Sequence, residues 1–183
     1  DLEYDQIKES ILPTDEELKE LASYFSIPMP KDLIEFYEYV GGVESDETFS
    51  IFCPKNFLAQ IHKRAELKHN STGIIDMIIA FWANDRTEFQ EYKLLTEEET
   101  GKINQAFPCI GWIILEEDNY EVREYVIFDK SGNFMNLCCH QNNLVETKNQ
   151  LLKLLESGLP ERSFASVMEE LFERVDGNSS PWE

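Results

Sequence analysis

Basic residues are scarce in this sequence. Its 183 residues include 16 lysines and arginines against 36 aspartates and glutamates, which gives a formal net charge of −20 at pH 7. A chain with this charge is repelled by nucleic-acid backbones and by anionic membrane surfaces. The nearest approach to a basic patch, His62, Lys63, Arg64 and Lys68, is interrupted by Glu66. The composition therefore argues against both nucleic acids and membranes as partners.

Signatures of several other protein classes are also missing. No run of about 18 apolar residues is present, so no transmembrane helix is expected. Neither a glycine-rich nucleotide-binding motif nor a nucleophile-elbow motif occurs. The first five residues, DLEYD, are acidic and do not resemble the apolar segment of a signal peptide. We therefore expect a cytoplasmic protein without a bound cofactor.

Cysteine is not arranged for a disulfide framework or a zinc site. Cys53, Cys109, Cys138 and Cys139 lie in apolar segments without a CxxC pair, and we interpret them as reduced core residues. The strongest metal candidate is Cys138-Cys139-His140. Adjacent residues of a strand point to opposite faces, so the two thiols cannot easily reach one ion. We expect no metal site, and no sequence context marks a catalytic Cys–His pair.

The residues that are present indicate one folded domain. A length of 183 residues with 42% hydrophobic residues is typical of a single globular domain. We predict that residues 1–176 form this domain and that residues 177–183 are a loose C-terminal tail. The predicted elements are helices, then mostly antiparallel strands, then two amphipathic helices, an order that is typical of the α+β class.

Two capping boxes predict the starts of helices. Thr14 with Glu17, and Thr96 with Glu99, have the spacing at which the threonine side chain accepts from a backbone amide and the glutamate reaches back. A further helix is predicted after residues 27–30. Four of its apolar residues recur at helical spacing and are predicted to be buried: Leu33, Phe36, Tyr37 and Val40.

Gly41-Gly42 is predicted to end that helix, with at least one of the two glycines at positive φ. A helix is also predicted over residues 54–68. The continuous apolar, β-rich run Ile74–Trp82 is predicted to be the central strand of the sheet. The other predicted strands are residues 48–53, 88–95, 110–116, 121–129 and 134–139.

Carboxylates concentrate after the double glycine and around the turn of the hairpin formed by residues 110–116 and 121–129. Such a loop is either a solvated turn or a recognition surface for a basic partner. Aromatic residues close to such loops are able to act as anchors. We predict a partner-binding surface made of Glu44, Asp46, Glu47, Trp82, Glu116, Glu117, Asp118, Tyr120 and Glu121.

The segment IPMPKDLIEFYEYVGG, residues 27–42, resembles the SUKH superfamily. In that family a leucine-proline precedes a helix that ends in asparagine-glycine-glycine, and Met29 and Val40 stand here at the leucine and asparagine positions. Three later segments are also similar to the family: the Pro-x-Gly entry to the sheet at residues 107–112, a strand with an aspartate and a glycine turn at residues 125–132, and a C-terminal helix at residues 164–172.

The resemblance implies an α+β fold with helices packed on a curved, mostly antiparallel sheet. It also implies a protein that acts by binding, because none of the motif residues is known to be catalytic in the family. Many bacterial members are immunity proteins that neutralise toxins, which are often nucleases. Fungal members, the Smi/Knr regulators, coordinate cell-wall synthesis and signalling through protein contacts.

The leading prediction is a non-catalytic immunity protein that binds and neutralises a basic toxin domain. A nuclease toxin is basic because it holds nucleic acid, so an acidic inhibitor gains fast, charge-steered association. One alternative is a Smi/Knr-like regulatory scaffold, and another is an enzyme with an unrecognised Cys–His site. The acidic charge is also explained by solubility alone. No sequence feature assigns an oligomeric state.

Overall fold

A five-stranded antiparallel sheet forms the centre of the computed structural model, and each strand pairs with the next one along the chain. The strands are β1 (Val43–Glu44), β2 (Phe49–Ile51), β3 (Cys109–Glu117), β4 (Tyr120–Phe128) and β5 (Phe134–His140). The structure describes residues 12–44, 49–65, 72–82, 95–117, 120–140 and 144–176.

Seven helices accompany the sheet within these segments, which confirms the predicted α+β class. They are α1 (Asp15–Tyr24), α2 (Lys31–Tyr39), α3 (Pro54–Ala65), α4 (Ile74–Trp82), α5 (Glu97–Ala106), α6 (Leu144–Ser157) and α7 (Phe164–Asp176). Across the described segments, no helix is long and apolar enough to span a bilayer.

One face of the sheet is covered by α1, α2 and α7. The alternation of the strands places Phe49, Phe128 and Phe134 on this face. Phe25, which follows α1, packs on Phe128 at 5.4 Å between ring centroids, and Phe164 of α7 packs on Phe134 at 5.1 Å. Helix α2 lies against α7, and α3 lies beside α1. Aromatic rings therefore connect the end of α1 and the start of α7 to the sheet.

The opposite face is covered by α6, with α5 and α4 beyond it. Cys139 lies on this face, and the Thr147 hydroxyl of α6 lies 3.6 Å from its sulfur. Helices on both faces explain why apolar residues on alternating sides of β4 are buried together: Tyr125, Val126, Ile127 and Phe128 are at most 1% exposed. The core therefore has two layers, one between each face of the sheet and the helices that cover it.

Both predicted capping boxes are present. The backbone N–H of Glu17 donates to the Thr14 hydroxyl at 3.2 Å, and the Thr14 N–H donates to the Glu17 carboxylate at 2.8 Å. Thr96 and Glu99 repeat these contacts at the start of α5. The hydrogen bond from the Thr96 backbone holds the pKa of the Glu99 carboxyl below its usual value. These local bonds satisfy N–H groups that have no partner inside the helix.

Helix α2 and its glycine stop follow the prediction in part. Leu33 and Tyr37 are fully buried, whereas Phe36 is half-buried against α7. Val40 is 43% exposed, so its predicted burial is wrong. The helix ends at Tyr39, and Val40 caps it with its N–H bonded to the Phe36 carbonyl. The apolar spacing therefore runs one position past the end of the helix.

The prediction that Ile74–Trp82 is the central strand is wrong, because these residues form α4. Two contacts hold the start of this helix: Gly73 bridges to Pro108, and the Asn104 side chain accepts from the Ile75 N–H at 2.8 Å. One face of α4 is buried, whereas Ala80 on the other side is exposed. Its buried residues are Ile74, Ile75, Met77 and Ile78.

The other predicted strands agree with the structure where it describes them. The short strand over 48–53 is β2, the hairpin is β3 and β4, and the strand over 134–139 is β5. The helix predicted over 54–68 is described as far as Ala65. The predicted strand at residues 88–95 falls outside the described residues except for Leu95, and the tail at residues 177–183 falls entirely outside them.

Gly42 is expected to be hard to replace. Its φ is 151°, and a Cβ there would lie 2.6 Å from the Cys53 Cα. Gly42→Ala should therefore lower the free energy of unfolding by about 1–3 kcal/mol. Gly101→Ala is the matched control, because nothing lies within 4 Å of a Cβ in the middle of α5. That change should raise stability by about 0.5–1 kcal/mol in urea unfolding; equal effects would contradict the steric explanation.

Tyr37 is expected to tolerate loss of its hydroxyl. The group is buried without a hydrogen-bond partner among the described residues. Burial, with the nearby Cys109 and Cys53 thiols, raises the pKa of Tyr37. Tyr37→Phe should therefore stabilise the fold by up to about 1 kcal/mol. Tyr39→Phe, on a side chain that is 80% exposed, should change little.

The same change should alter the alkaline dependence of stability. An unfolded tyrosine ionises near pH 10, whereas the folded Tyr37 stays neutral. Ionisation therefore stabilises only the unfolded state, and the free energy of unfolding of the wild type falls as the pH rises above about 10. Urea unfolding at pH 7 and at about pH 10.5 should show a smaller loss for Tyr37→Phe than for the wild type. A parallel loss in both proteins would mean that Tyr37 ionises in the folded state.

Candidate partner-binding surface

The outer part of the β3–β4 hairpin pairs with neither β2 nor β5 among the described residues. Ile113 is the last β3 residue that pairs with β2, and Val122 is the first β4 residue that pairs with β5. Beyond these positions the described parts of β3 and β4 pair only with each other. Within the residues that the structure describes, the outer end of the hairpin is therefore a two-stranded ladder.

The register of this end brings acidic residues together. Glu116 of β3 pairs with Glu121 of β4, and Glu117 pairs with Tyr120. Like charges at directly opposite positions of an antiparallel pair are destabilising. We call these four residues the acidic hairpin end. The predicted site residue Asp118 and the four side chains themselves lie outside the described part of the structure.

Glu124 is acidic and belongs to the same hairpin, but it is not part of this surface. It is only 7% exposed and pairs with Ile113 and Cys138 in the middle of the sheet. The alternation of β4 places it on the face that α7 covers. The hairpin therefore separates its carboxylates into a buried one and a group at the outer end.

Glu44 was predicted as a partner-binding residue, and the structure gives it a role inside the chain. Its carboxylate accepts from the Cys53 backbone N–H at 3.2 Å and from the Asn56 side chain at 3.0 Å. Cys53 immediately precedes α3, so these bonds stabilise the first turn of that helix. Glu44 lies on the edge strand β1, with β2 between it and the hairpin.

The remaining predicted residues are not gathered at the hairpin by any described contact. Trp82 is the last residue of α4, and its side chain is outside the described part. Asp46 and Glu47 also fall outside the described residues. The backbone register therefore brings together Glu116, Glu117, Tyr120 and Glu121 of the predicted surface. A role in partner binding stays a prediction for every predicted residue.

A groove near the start of α2 was missed by the sequence analysis. It has a volume of about 320 Å³ and lies between residues 28–32 and the β4–β5 turn at residues 130–132. Lys31, one of its lysines, forms an ion pair with Glu35 at 2.9 Å. The signal in the sequence was the proline-rich segment before α2, which was interpreted only as a helix start.

The turn beside this groove is organised by the buried carboxylate of Asp129. One oxygen accepts from the N–H groups of Ser131 at 2.9 Å and Asn133 at 3.1 Å, and the other accepts from the Leu159 N–H at 3.2 Å. Leu159 lies in the connection between α6 and α7. Asp129 therefore joins the β4–β5 turn to that connection, and its role is structural.

The cysteines lie where the sequence predicts apolar environments. Cys53, Cys109 and Cys139 are buried and Cys138 is half-buried, all as free thiols. Cys138 pairs with Glu124 and Cys139 with Arg123, so the two adjacent thiols occupy opposite faces of β5. Within the described segments, no group of three or more histidine, cysteine or acidic side chains is placed to hold a metal ion.

Removal of the Glu44 carboxylate should cost stability. Glu44→Ala removes the carboxylate that accepts from the Cys53 N–H and the Asn56 side chain, so the free energy of unfolding should fall by about 1–2 kcal/mol. Glu161→Ala, at an exposed position between α6 and α7, is the control and should change it by less than about 0.5 kcal/mol. Urea unfolding of both variants measures the difference. If Glu44→Ala leaves the free energy of unfolding unchanged, the carboxylate has no structural role and partner binding again becomes its leading role.

Comparison with known proteins identifies one family. The family model described as "SMI1 / KNR4 family (SUKH-1)" matches residues 12–157, well over half of the chain. The matched region begins just before α1 and ends with the last residue of α6. The similarity noted at residues 164–172 lies beyond it. No curated protein and no solved structure matches the chain.

Proposed function

The chain belongs to the SMI1/KNR4 family (SUKH-1), and from this membership and its net charge of −20 we propose that it is a non-catalytic, cytoplasmic immunity protein. In this proposal it binds a basic toxin domain, of which a nuclease is the leading example, and blocks it. The family supports a role in protein binding. The charge supports a basic partner, because opposite charges steer the two proteins together.

The observation that carries the proposal is the register of the acidic hairpin end. Glu116 and Glu121 are paired across the ladder, although this pairing costs stability. Apolar or oppositely charged residues there would strengthen the hairpin. A basic partner that approaches this end offsets the repulsion, so the complex gains an attraction between opposite charges that is absent in the free protein.

Charge complementarity between two proteins acts mainly on the rate of association. Complementary surface potentials raise on-rates by about 10- to 1,000-fold, and salt screens them over roughly 8–10 Å. The acidic hairpin end lies outside the part of the ladder that β2 and β5 support. No described residue of β2 or β5 pairs with this end, which supports its access to a partner.

A Smi/Knr-like regulatory scaffold would also act by binding, and its partner distinguishes it from an immunity protein. A toxin gene next to the gene for this chain supports the immunity role. Recovery of cell-wall synthesis or signalling proteins with the tagged chain from its host supports the scaffold. An enzyme with a Cys–His site would lose activity on thiol alkylation, whereas a binding protein retains its affinity for its partner.

Reversal of one charge in the facing pair should separate stability from function. Glu116→Lys places a lysine opposite Glu121, so the free energy of unfolding should rise by about 0.2–1 kcal/mol. The same change should slow association with the basic partner and flatten the dependence of its rate on salt. Urea unfolding of the variant measures the first effect. Stopped-flow association with the partner recovered from the host, at low and high salt, measures the second.

Glu156→Lys is the matched control, because it changes the net charge equally at an exposed position of α6. This variant should associate nearly as fast as the wild type. If Glu116→Lys also leaves the rate unchanged, the hairpin is not in the interface. If both variants are slowed equally, the net charge steers the partner and the hairpin has no special role.

A further inference from the structure

The two edges of the described sheet differ in length and in charge. At one edge lies β1, which has two residues and carries Glu44. At the other edge lies β5, whose seven residues FMNLCCH include no lysine, arginine, carboxylate or proline. The register of β5 with β4 is continuous from Phe134 to His140, without a bulge. Short strands, charges, prolines and bulges are the usual means of preventing an edge from pairing with another chain, and β5 has none of them.

The backbone groups of β5 that face away from β4 belong to alternate residues. The Phe134 N–H points to this outer side, because it donates to the Arg162 carbonyl at 3.0 Å. In an antiparallel ladder every second residue has the same orientation, so the N–H and C=O groups of Asn136 and Cys138 also face outward. The connection between α6 and α7 therefore occupies this edge at Phe134, and the next outward-facing position of the strand is Asn136.

Asn136 presents its backbone at this edge. Outside the sheet, no described backbone group bonds to its N–H or its C=O. The two polar atoms of its side chain are enclosed, whereas the residue as a whole is half-buried, so its open surface belongs to the backbone and the adjoining carbons. An accessible N–H and C=O on an extended strand form a template to which another extended chain adds by backbone hydrogen bonds.

The outer end of β5 leads directly to the acidic hairpin end. His140, the last residue of β5, pairs with Val122, and Glu121 is the residue before Val122. A strand added beside β5 would lie two strand spacings from β4, which is about 10 Å. A segment that pairs with β5 and continues past His140 therefore brings its charges within about one screening length of the Glu116–Glu121 pair.

We propose that the edge of β5 binds an extended segment of the basic partner by strand addition. The backbone of that segment pairs with Asn136 and Cys138, and its lysines or arginines continue alongside the acidic hairpin end. A second copy of this chain fits less well, since each copy carries a net charge of −20 and the two repel each other. This inference rests on the proposed function and assigns the partner an extended, basic recognition segment.

Strand addition predicts a pattern of amide hydrogen exchange that NMR resolves residue by residue. In the free protein the Asn136 amide should exchange faster than those of Met135 and Leu137, which face β4. The probe is a synthetic peptide of about ten residues, with alternating valine and threonine followed by lysines. This peptide should slow exchange at Asn136. The control peptide carries methyl groups on two adjacent central backbone nitrogens, one for each edge of the peptide, and should slow it least.

Two substitutions at one position isolate the backbone N–H. Asn136→Pro removes this outward donor and places a ring in the path of the added strand, so the unmethylated peptide should bind about tenfold more weakly. Asn136→Val loses the same side-chain amide but keeps the N–H, and its affinity should equal that of the wild type. The amide has no hydrogen-bond partner among the described residues, and an edge strand accepts proline where the N–H faces outward. Circular dichroism checks that both variants fold; if the proline variant does not, the exchange pattern with the two peptides decides.

Three results would overturn the inference. The first is exchange at Asn136 that the unmethylated peptide leaves unchanged. The second is equal binding of both peptides, which would mean that charge alone attracts them. The third is an Asn136 amide as slow as that of Met135 in the free protein, which would mean that the edge is already covered; analytical ultracentrifugation shows whether a second copy covers it. If Glu116→Lys still slows the recovered partner in any of these cases, the proposed function stands and β5 is not part of the interface.

Discussion

The buried carboxylate of Asp129 is the interaction on which the arrangement of the helices depends. It binds backbone N–H groups of the β4–β5 turn and of the connection between α6 and α7. Helices α6 and α7 lie on opposite faces of the sheet, so the chain changes faces around this one turn. The start of α7 is thereby fixed beside Phe134, whose N–H donates to the Arg162 carbonyl. Helix α2 starts across the groove from the same turn.

Local chemistry made much of this fold predictable. A capping box or a double glycine determines its structure through bonds within a few residues, and both capping boxes and the glycine stop are confirmed. The prediction of a strand at Ile74–Trp82 was wrong, because β-branched residues favour a strand only when no tertiary contact opposes it. The Asn104 side chain binds the N–H groups of the first turn of α4. That contact spans distant parts of the sequence and leaves no local signal.

The candidate site was predictable in composition and not in arrangement. Counting carboxylates selected Glu44 and the hairpin residues alike, because a sequence does not show which carboxylates the fold itself uses. Glu44 stabilises the start of α3, and Glu124 is buried in the sheet. The pairing of Glu116 with Glu121 depends on the register of the hairpin. The exposure of Val40 depends on where α2 ends, which the apolar spacing alone does not determine.

Charge and apolar area contribute to different steps of binding. Long-range attraction raises the association rate but adds little to the lifetime of a complex, because exposed ion pairs are weak and screened. Buried aromatic contacts act at short range and mainly slow dissociation. A protein with only the acidic hairpin end would bind basic proteins quickly and release them quickly. Discrimination between basic partners would therefore depend on apolar contacts in the interface more than on the net charge.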